Sequence, residues 1–336
     1  VAFFITQHIV SRCHYPIWLW LTLSKEISMR TLRFSQYGEP KEVLRLEETD
    51  IPEPKAGHVR VKVHACGLNP ADWALCRGLF AGNLPRGIGL DLSGTVDTIG
   101  EGVADVAVGD RVLGVPAYQD YASAGAADYA VLAVWTAVPA GLDLLQAAAL
   151  PMAIETSFRC LDILGVAAGH TLFVYGAGTM IGFAAVQMAR LRGARVIAAA
   201  GDTFAGQLRA LGAEVTPYGA GMVERVRELA GGKPDLILDA GPVSEVLPDL
   251  LEVADHDARR IVTVSNHGPA AEALGVRNSF EGPLDYGALG EFARLAAEGR
   301  FKVPVARSFP LSDWRSAVDL SLTGRAQGKL MLTLNF

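Results

Sequence analysis

The sequence predicts an α/β protein of two domains, one rich in short β-strands and one built on a doubly wound parallel sheet. Three observations predict it. The chain has 336 residues, more than a single core accommodates comfortably. Short alternating segments separated by glycine fill residues 59–131. From 171 to 264, strand-like and helix-like segments alternate, the rhythm of βαβ units whose sheet is covered on both faces.

Composition narrows the functional classes. Half of the residues are hydrophobic and 20% are charged, which is globular rather than disordered. The net charge is −6 and no basic stripe is visible, so nucleic acid is not an expected partner. Cys13, Cys66, Cys76 and Cys160 form no CxxC pair, and a chain of this size needs no disulfide framework. A reducing, cytoplasmic location is expected. Residues 1–30 differ from the rest. Their apolar runs, Phe3-Phe4-Ile5 and residues 15–21, are interrupted by His8, Arg12 and His14 and are too short to span a membrane. Leu23-Ser24-Lys25-Glu26 makes a poor cleavage site. This segment reads as an N-terminal extension, either an appendage or sequence upstream of a natural start at Met29.

The β-rich domain is expected over 31–153. Residues 59–63 alternate apolar and charged side chains, as a half-buried strand does, and 95–99 repeat the pattern up to Gly100. Residues 110–114 and 127–131 read as further short strands of a partly open barrel. Helical texture begins at 145–150 and continues over 154–164. The cofactor domain is expected over 154–282. Strands are placed at 171–175, 195–200, 214–216, 236–240 and 260–264, with helices at 182–192, 203–211 and 222–230. The tail, 283–336, holds an amphipathic helix at 286–298, a helix at 313–322 and a strand at 329–334. It either returns to the first domain or extends the sheet.

The strand at 171–175 runs straight into Gly176-Ala177-Gly178-Thr179-Met180-Ile181-Gly182, and a helix follows. Glycine permits the tight turn, and a helix N-terminus presents free N–H groups to a pyrophosphate. No Gly-Lys-Ser/Thr follows, which excludes a Walker A loop. The second strand ends at Ala200-Gly201, with Asp202 just beyond. An acid at the strand end would bind a ribose 2′-OH and select NADH; its absence at Ala200 leaves room for NADPH. NADPH is therefore the expected cofactor, with NADH possible through Asp202. A helix-capping role is the plain alternative for Asp202.

Several segments together resemble the medium-chain dehydrogenase/reductase superfamily, in its zinc-independent quinone oxidoreductase branch and close to the enoyl reductases. They are Gly67-Leu68-Asn69-Pro70-Ala71-Asp72, Gly89-Leu90-Asp91-Leu92-Ser93-Gly94-Thr95-Val96, Gly100-Glu101-Gly102-Val103, Gly109-Asp110-Arg111-Val112, Ala149-Leu150-Pro151-Met152, Thr156, the glycine turn, Leu211-Gly212-Ala213 and Gly328-Lys329. The resemblance covers roughly 31–336. It implies a GroES-like catalytic domain, a Rossmann-type cofactor domain, a C-terminal return to the catalytic domain, a cleft between the two, and a homodimer. Asn69 stands where zinc-dependent relatives carry a cysteine ligand, and their structural-zinc cysteine loop is missing, so no metal is expected. The branch tends to carry Gly-Gly-Val-Gly where this chain has Thr179-Met180-Ile181-Gly182. Thr179 either donates to a phosphate or crowds the turn.

Without a metal, hydride addition to a quinone or an α,β-unsaturated carbonyl suits the scaffold, because conjugation spreads the developing charge. Asn69 is the first candidate donor at the substrate, with Asp72 beside it as a geometric support or proton source. Trp73 and Phe80 are candidate walls for a flat substrate. Thr156 and Asn266 are candidate cofactor contacts, and His267 and Asn278 lie nearby. The alternatives are a metal-free ketone reductase or specialised biosynthetic reductase, and a non-catalytic NADPH-binding structural or regulatory protein.

Overall fold

The computed structural model describes residues 28–334, so the readings made for the N-terminal segment before Ser28 lie outside the described residues. β1 (Ser28–Phe34) and β2 (Leu44–Asp50) pair antiparallel. β3 (Val59–Leu68) extends the alternating stretch into an apolar run. The two-residue β4 (Arg86–Gly87) pairs with β1. β5 (Asp91–Ile99), β6 (Arg111–Pro116) and β7 (Tyr129–Ala137) follow. β3 pairs with both β5 and β7, while β6 pairs with β5 and β7, so these four strands close on themselves. Val59, Val61, Val63, Leu92, Val96, Val112 and Leu132 fill the core of this domain. The close strand crossings need glycine. A Cβ on Gly114 would stand 2.1 Å from the Val134 carbonyl oxygen.

The cofactor domain carries β8 (Thr171–Tyr175), β9 (Arg195–Ala199), β10 (Glu214–Thr216), β11 (Leu236–Asp239), β12 (Ile261–Thr263) and β13 (Arg277–Asn278). Their order is β10-β9-β8-β11-β12-β13 and every pairing is parallel. The chain order reverses between β8 and β11, which opens a crevice at the carboxyl ends of those strands. The Met180–Leu191 helix leaves from the end of β8, and eight of its residues, Gly182 to Ala189, are buried.

The tail returns to the first domain, the alternative the sequence left open. β14 (Val305–Pro310) pairs parallel with β15 (Lys329–Thr333), and β15 lies antiparallel to β3. β14 carries no readable alternation, because only Phe309 among its residues is buried. Two helices also depart from the sequence reading. A helix that the pattern does not announce, Pro70–Cys76, follows Asn69, and the next long helix is Pro151–Leu164 rather than 154–164. Proline at the first helical position explains both, since its missing N–H has no partner there anyway.

Candidate functional site

The glycine turn is shaped by contacts that admit no side chain. Gly176 has φ 75°, and a Cβ there would stand 2.3 Å from the Gly241 nitrogen. A Cβ on Gly182 would stand 2.2 Å from the Gly176 carbonyl oxygen. The helix start is therefore drawn down onto the end of β8, with backbone against backbone. Ala177 is buried and its N–H is tied to the Ala199 carbonyl. Thr179 is the N-cap. Its hydroxyl accepts from the Gly182 N–H at 3.0 Å and donates to the Ala240 carbonyl at 2.9 Å. Both bonds are internal, so its proton is committed to the end of β11. The first-turn N–H groups of Met180 and Ile181 remain the donors that a helix start offers to an anion. This is a cradle that fits a dinucleotide pyrophosphate.

Beyond β9, Ala200 is buried, Gly201 is the N-cap of the Asp202–Ala210 helix, and a Cβ on Gly201 would meet nothing within 4 Å. Asp202 is exposed in the first helical turn and makes no capping bond, so the capping role considered for it is not the one it plays. Tyr218 packs its ring 5.2 Å from that of Tyr175, and its hydroxyl meets the Gly178 N–H. Burial pushes this phenol up to about 12.

Across the crevice, Asn266 is used internally. Its Nδ2 donates to Asp239 at 2.7 Å and its Oδ1 accepts from the Ser244 N–H at 2.9 Å. Asp239 also accepts from Thr263 and from the Gly241 N–H. Burial raises the Asp239 carboxyl, and these three bonds oppose the rise. Asn266 thus joins the loops after β11 and β12, shaping the wall of the crevice. His267 stacks 4.7 Å from Phe280, and burial lowers its imidazole. Asn278 ends β13, where its Oδ1 accepts from the Phe280 N–H at 2.9 Å.

The catalytic-domain side is a buried polar cluster. Asn69 caps the Pro70–Cys76 helix, and its N–H donates to Asp72 at 2.8 Å. Its Nδ2 donates to Asp91 at 3.0 Å, and its Oδ1 accepts from the Lys329 ammonium. That ammonium also donates to Asp91 at 2.6 Å. The other Asp91 oxygen accepts from the Met152 N–H at 2.7 Å, at the start of the Pro151–Leu164 helix, where the macrodipole favours an anion. Gly67 makes room: a Cβ there would stand 2.8 Å from Lys329 Cε. The Asn69 amide is therefore spent within the cluster and is not poised for a substrate oxygen.

Asp72 is wholly buried and accepts from the Asn69 and Gly89 N–H groups. Burial raises its carboxyl to about 6 despite those bonds. A free aspartic acid titrates near 3.9. The folded state thus holds this proton more tightly than the unfolded chain does. The stabilising contribution is complete below about 4 and is lost as pH rises through about 6, roughly 3 kcal/mol in all. Asp72→Asn is expected to lose this slope in urea unfolding between pH 4 and 6.5. An unaltered slope would show that Asp72 ionises normally.

Two candidate substrate walls part company. Trp73 lies in the core, with its indole N–H on the Ser321 hydroxyl at 2.8 Å, and it faces no cleft. Phe80 is 49% exposed, and its ring meets that of Phe280 edge-on at 5.5 Å, so the two domains touch here across the crevice.

The Pro151–Leu164 helix crosses between the domains. Met152 holds Asp91, and the Ser157 hydroxyl donates to the Ile181 carbonyl at 2.7 Å. Thr156, between these anchors, donates to Glu155 at 3.1 Å. Glu155 is itself held by Arg159 at 2.5 Å and 3.1 Å, in a pair buried on both sides. Sequence reading passed over Glu155, Arg159 and the role of Lys329. The signals were there. Glu155 and Arg159 are an i,i+4 pair inside an apolar helix, and Lys329 is a lone cation opening an apolar strand.

Zinc does not fit these donors. The oxygens of Asn69 and Asp91 already hold an ammonium, and burial raises the thiols of Cys66, Cys76 and Cys160, which keeps them protonated. Among the described residues, no three His, Cys, Asp or Glu side chains converge.

Residues 55–141 match the alcohol dehydrogenase GroES-like domain, and residues 181–281 match the zinc-binding dehydrogenase domain. A quinone oxidoreductase from Sus scrofa is 31% identical over 331 residues, spanning 91% of this chain and 98% of that relative. Erythronolide synthase EryA2 from Saccharopolyspora erythraea is 32% identical over 302 residues; these are 84% of this chain, which spans only 8% of that much longer protein. Among solved structures, a quinone oxidoreductase from Coxiella burnetii superposes with a TM-score of 0.76 at 27% identity, covering 92% of this chain and 100% of that one.

Proposed function

Since this chain belongs to the quinone oxidoreductase branch of the medium-chain dehydrogenase/reductase superfamily, and is thereby an NAD(P)H-dependent oxidoreductase, we propose that it reduces quinones or α,β-unsaturated carbonyl compounds with NADPH and without a metal. The observation that carries this reading is the Lys329 ammonium lodged on the oxygens of Asn69 and Asp91. Those donors suit a fixed organic cation and not a Lewis-acidic metal, and a conjugated acceptor has least need of one.

The turn Gly176–Gly182 would hold the pyrophosphate, with Met180 and Ile181 supplying N–H donors. Ala200 and Gly201 leave space beside the adenosine ribose, which favours the 2′-phosphate, and Asp202 at the helix start is the residue through which NADH would compete. Thr156 would present lone pairs to the cofactor, since its proton is given to Glu155. Asn266 would shape the nicotinamide side through its loop. When bound, the reduced nicotinamide supplies the hydride. Phe80 walls the acceptor, and Asn69 and Asp72 keep the buried cluster beneath it in register. The protein is proposed to act in the cytoplasm as a homodimer. Among the described residues no helix is long and apolar enough to cross a membrane.

Fluorescence titration with NADPH and NADH, followed by rates on a panel of quinones, enals and saturated ketones, tests this reading. NADPH is expected to bind more tightly, and turnover is expected to require conjugation. Equal rates on saturated ketones would overturn it, and tight NADPH binding with no turnover would favour a non-catalytic binding protein. The similarity to a segment of erythronolide synthase supports a second reading, a specialised biosynthetic reductase. Enoyl thioesters belong in the panel for that reason.

A further inference from the structure

We propose that Phe80 and Phe280 form an aromatic latch between the two domains, which has to part each time a nicotinamide cofactor enters or leaves the crevice. The latch needs only a cofactor held in the crevice and is independent of which acceptor is reduced.

The catalytic-domain half is a strained residue held in place. Phe80 has φ 53°, a left-handed conformation that a bulky aromatic residue rarely adopts. Strain of this kind persists only where the surroundings over-determine it. They do so on both sides of Phe80. Before it, the Leu79 N–H donates to the Ala74 carbonyl at 2.9 Å, in the Pro70–Cys76 helix. After it, the Tyr37 hydroxyl donates to the Gly82 carbonyl at 2.9 Å and accepts from the Gly82 N–H at 2.8 Å. The Phe80 carbonyl itself accepts from the Arg86 guanidinium at 2.6 Å. Arg86 is buried in β4, with its guanidinium over the Tyr118 ring. This scaffolding presents a ring that remains half exposed. An exposed ring on strained backbone stabilises the fold little, so its use lies in what it meets.

The cofactor-domain half stands at the carboxyl end of the parallel sheet, where the crevice opens. Phe280 follows β13, and its N–H donates to the Asn278 Oδ1 at 2.9 Å. The Ser279 N–H donates to the Thr263 carbonyl at 3.0 Å, at the end of β12. The hydroxyl of Thr263 holds Asp239 and meets the Asn266 N–H in the crevice wall. Phe280 is thereby the direct neighbour of a residue fixed to that wall. Its ring is backed by His267, 4.7 Å away, and meets Phe80 at 5.5 Å with the planes 86° apart. Edge-to-face is a favoured geometry for an aromatic pair. The Pro151–Leu164 helix links the domains rigidly through hydrogen bonds at Met152 and Ser157. The ring pair is a link of another kind: two half-exposed side chains that can part without breaking a hydrogen bond.

Stopped-flow fluorescence with NADPH, or with NADH if the wild type prefers it, is the test. A latch that parts for passage in either direction slows entry and release alike and leaves their ratio alone. Phe80→Gly removes one ring and adopts the left-handed conformation without strain, and Phe280→Ala removes the other. Each is expected to speed both association and release by about three- to tenfold, as the strength of one aromatic pair allows. The dissociation constant and the urea midpoint are expected to change little. The double variant is expected to be no faster than the singles, since either ring alone has nothing to hold. Unchanged rates in both singles, with normal cofactor affinity, overturn the latch and leave the cofactor reading intact. A double variant in which the two effects multiply also overturns it. So does faster release with unchanged association, because the ring would then be touching the cofactor rather than barring its way. Failure of the wild type to bind either cofactor overturns the glycine-turn cradle and the latch together.

Discussion

Lys329→Met is expected to cost about 3–5 kcal/mol of stability, the price of leaving a buried carboxylate without its counter-ion. Lys329 is 3% exposed and Asp91 is 0% exposed, so neither charge has water to fall back on. Methionine fills the channel beside Gly67 but leaves Asp91 with only the Asn69 amide and the Met152 N–H. The loss is not a measure of what the pair contributes. A neutral pair of similar shape is often as stable, because both charges were desolvated on folding. Adding Asp91→Asn to Lys329→Met is therefore expected to recover at least half of the loss, since the amide oxygen still accepts from Met152. Urea unfolding of the single and double variants measures the coupling. A loss below about 1 kcal/mol in Lys329→Met would mean that the carboxylate is protonated or hydrated, and that the cluster is not a salt-bridged one.

Gly182→Ala is expected to raise the dissociation constant for the nicotinamide cofactor more than tenfold, about 1.4 kcal/mol or more. The added carbon would stand 2.2 Å from the Gly176 carbonyl oxygen and 2.8 Å from Ala177 Cα. No rotamer relieves a contact with backbone, so the helix start must lift away from the end of β8. The N–H groups of Met180 and Ile181 then leave the place where a pyrophosphate would meet them. Gly178→Ala is the control. Its added carbon meets only the Phe204 ring, at 3.4 Å, and affinity is expected to change by less than about threefold. Fluorescence titration reads both, and an unaltered constant in Gly182→Ala removes the phosphate from this turn.

The parallel sheet was the most legible part of the chain. β8, β10 and the Met222–Ala230 helix fall on the residues that pattern alone assigns, because buried parallel strands are short apolar runs between turn residues. The β-rich half was less so. β4 is two residues long, and β14 buries only Phe309, so neither carries a period to detect. The glycine turn could be read because its requirement is local. The polar cluster could not, because Asn69, Asp91 and Lys329 are joined only when β15 pairs with β3, a contact that nothing near Asn69 announces. Asn69 was accordingly read as free to serve a substrate when its amide is already committed. Trp73 was read as a possible wall when its partner is Ser321, far along the chain.

The helix pinned at Met152 to one domain and at Ser157 to the other acts as a gauge block. The rise between those residues is about 7.5 Å, set by the pitch of an α-helix and not by any loop. Inserting or deleting one residue there would turn everything beyond it by about 100° and release one of the two pins. The spacing between the two pins is therefore quantised, and small mutational steps leave it alone. On the proposed function, larger or smaller acceptors would be accommodated at the rim, where Phe80 and Phe280 meet as exposed rings that can be exchanged one at a time.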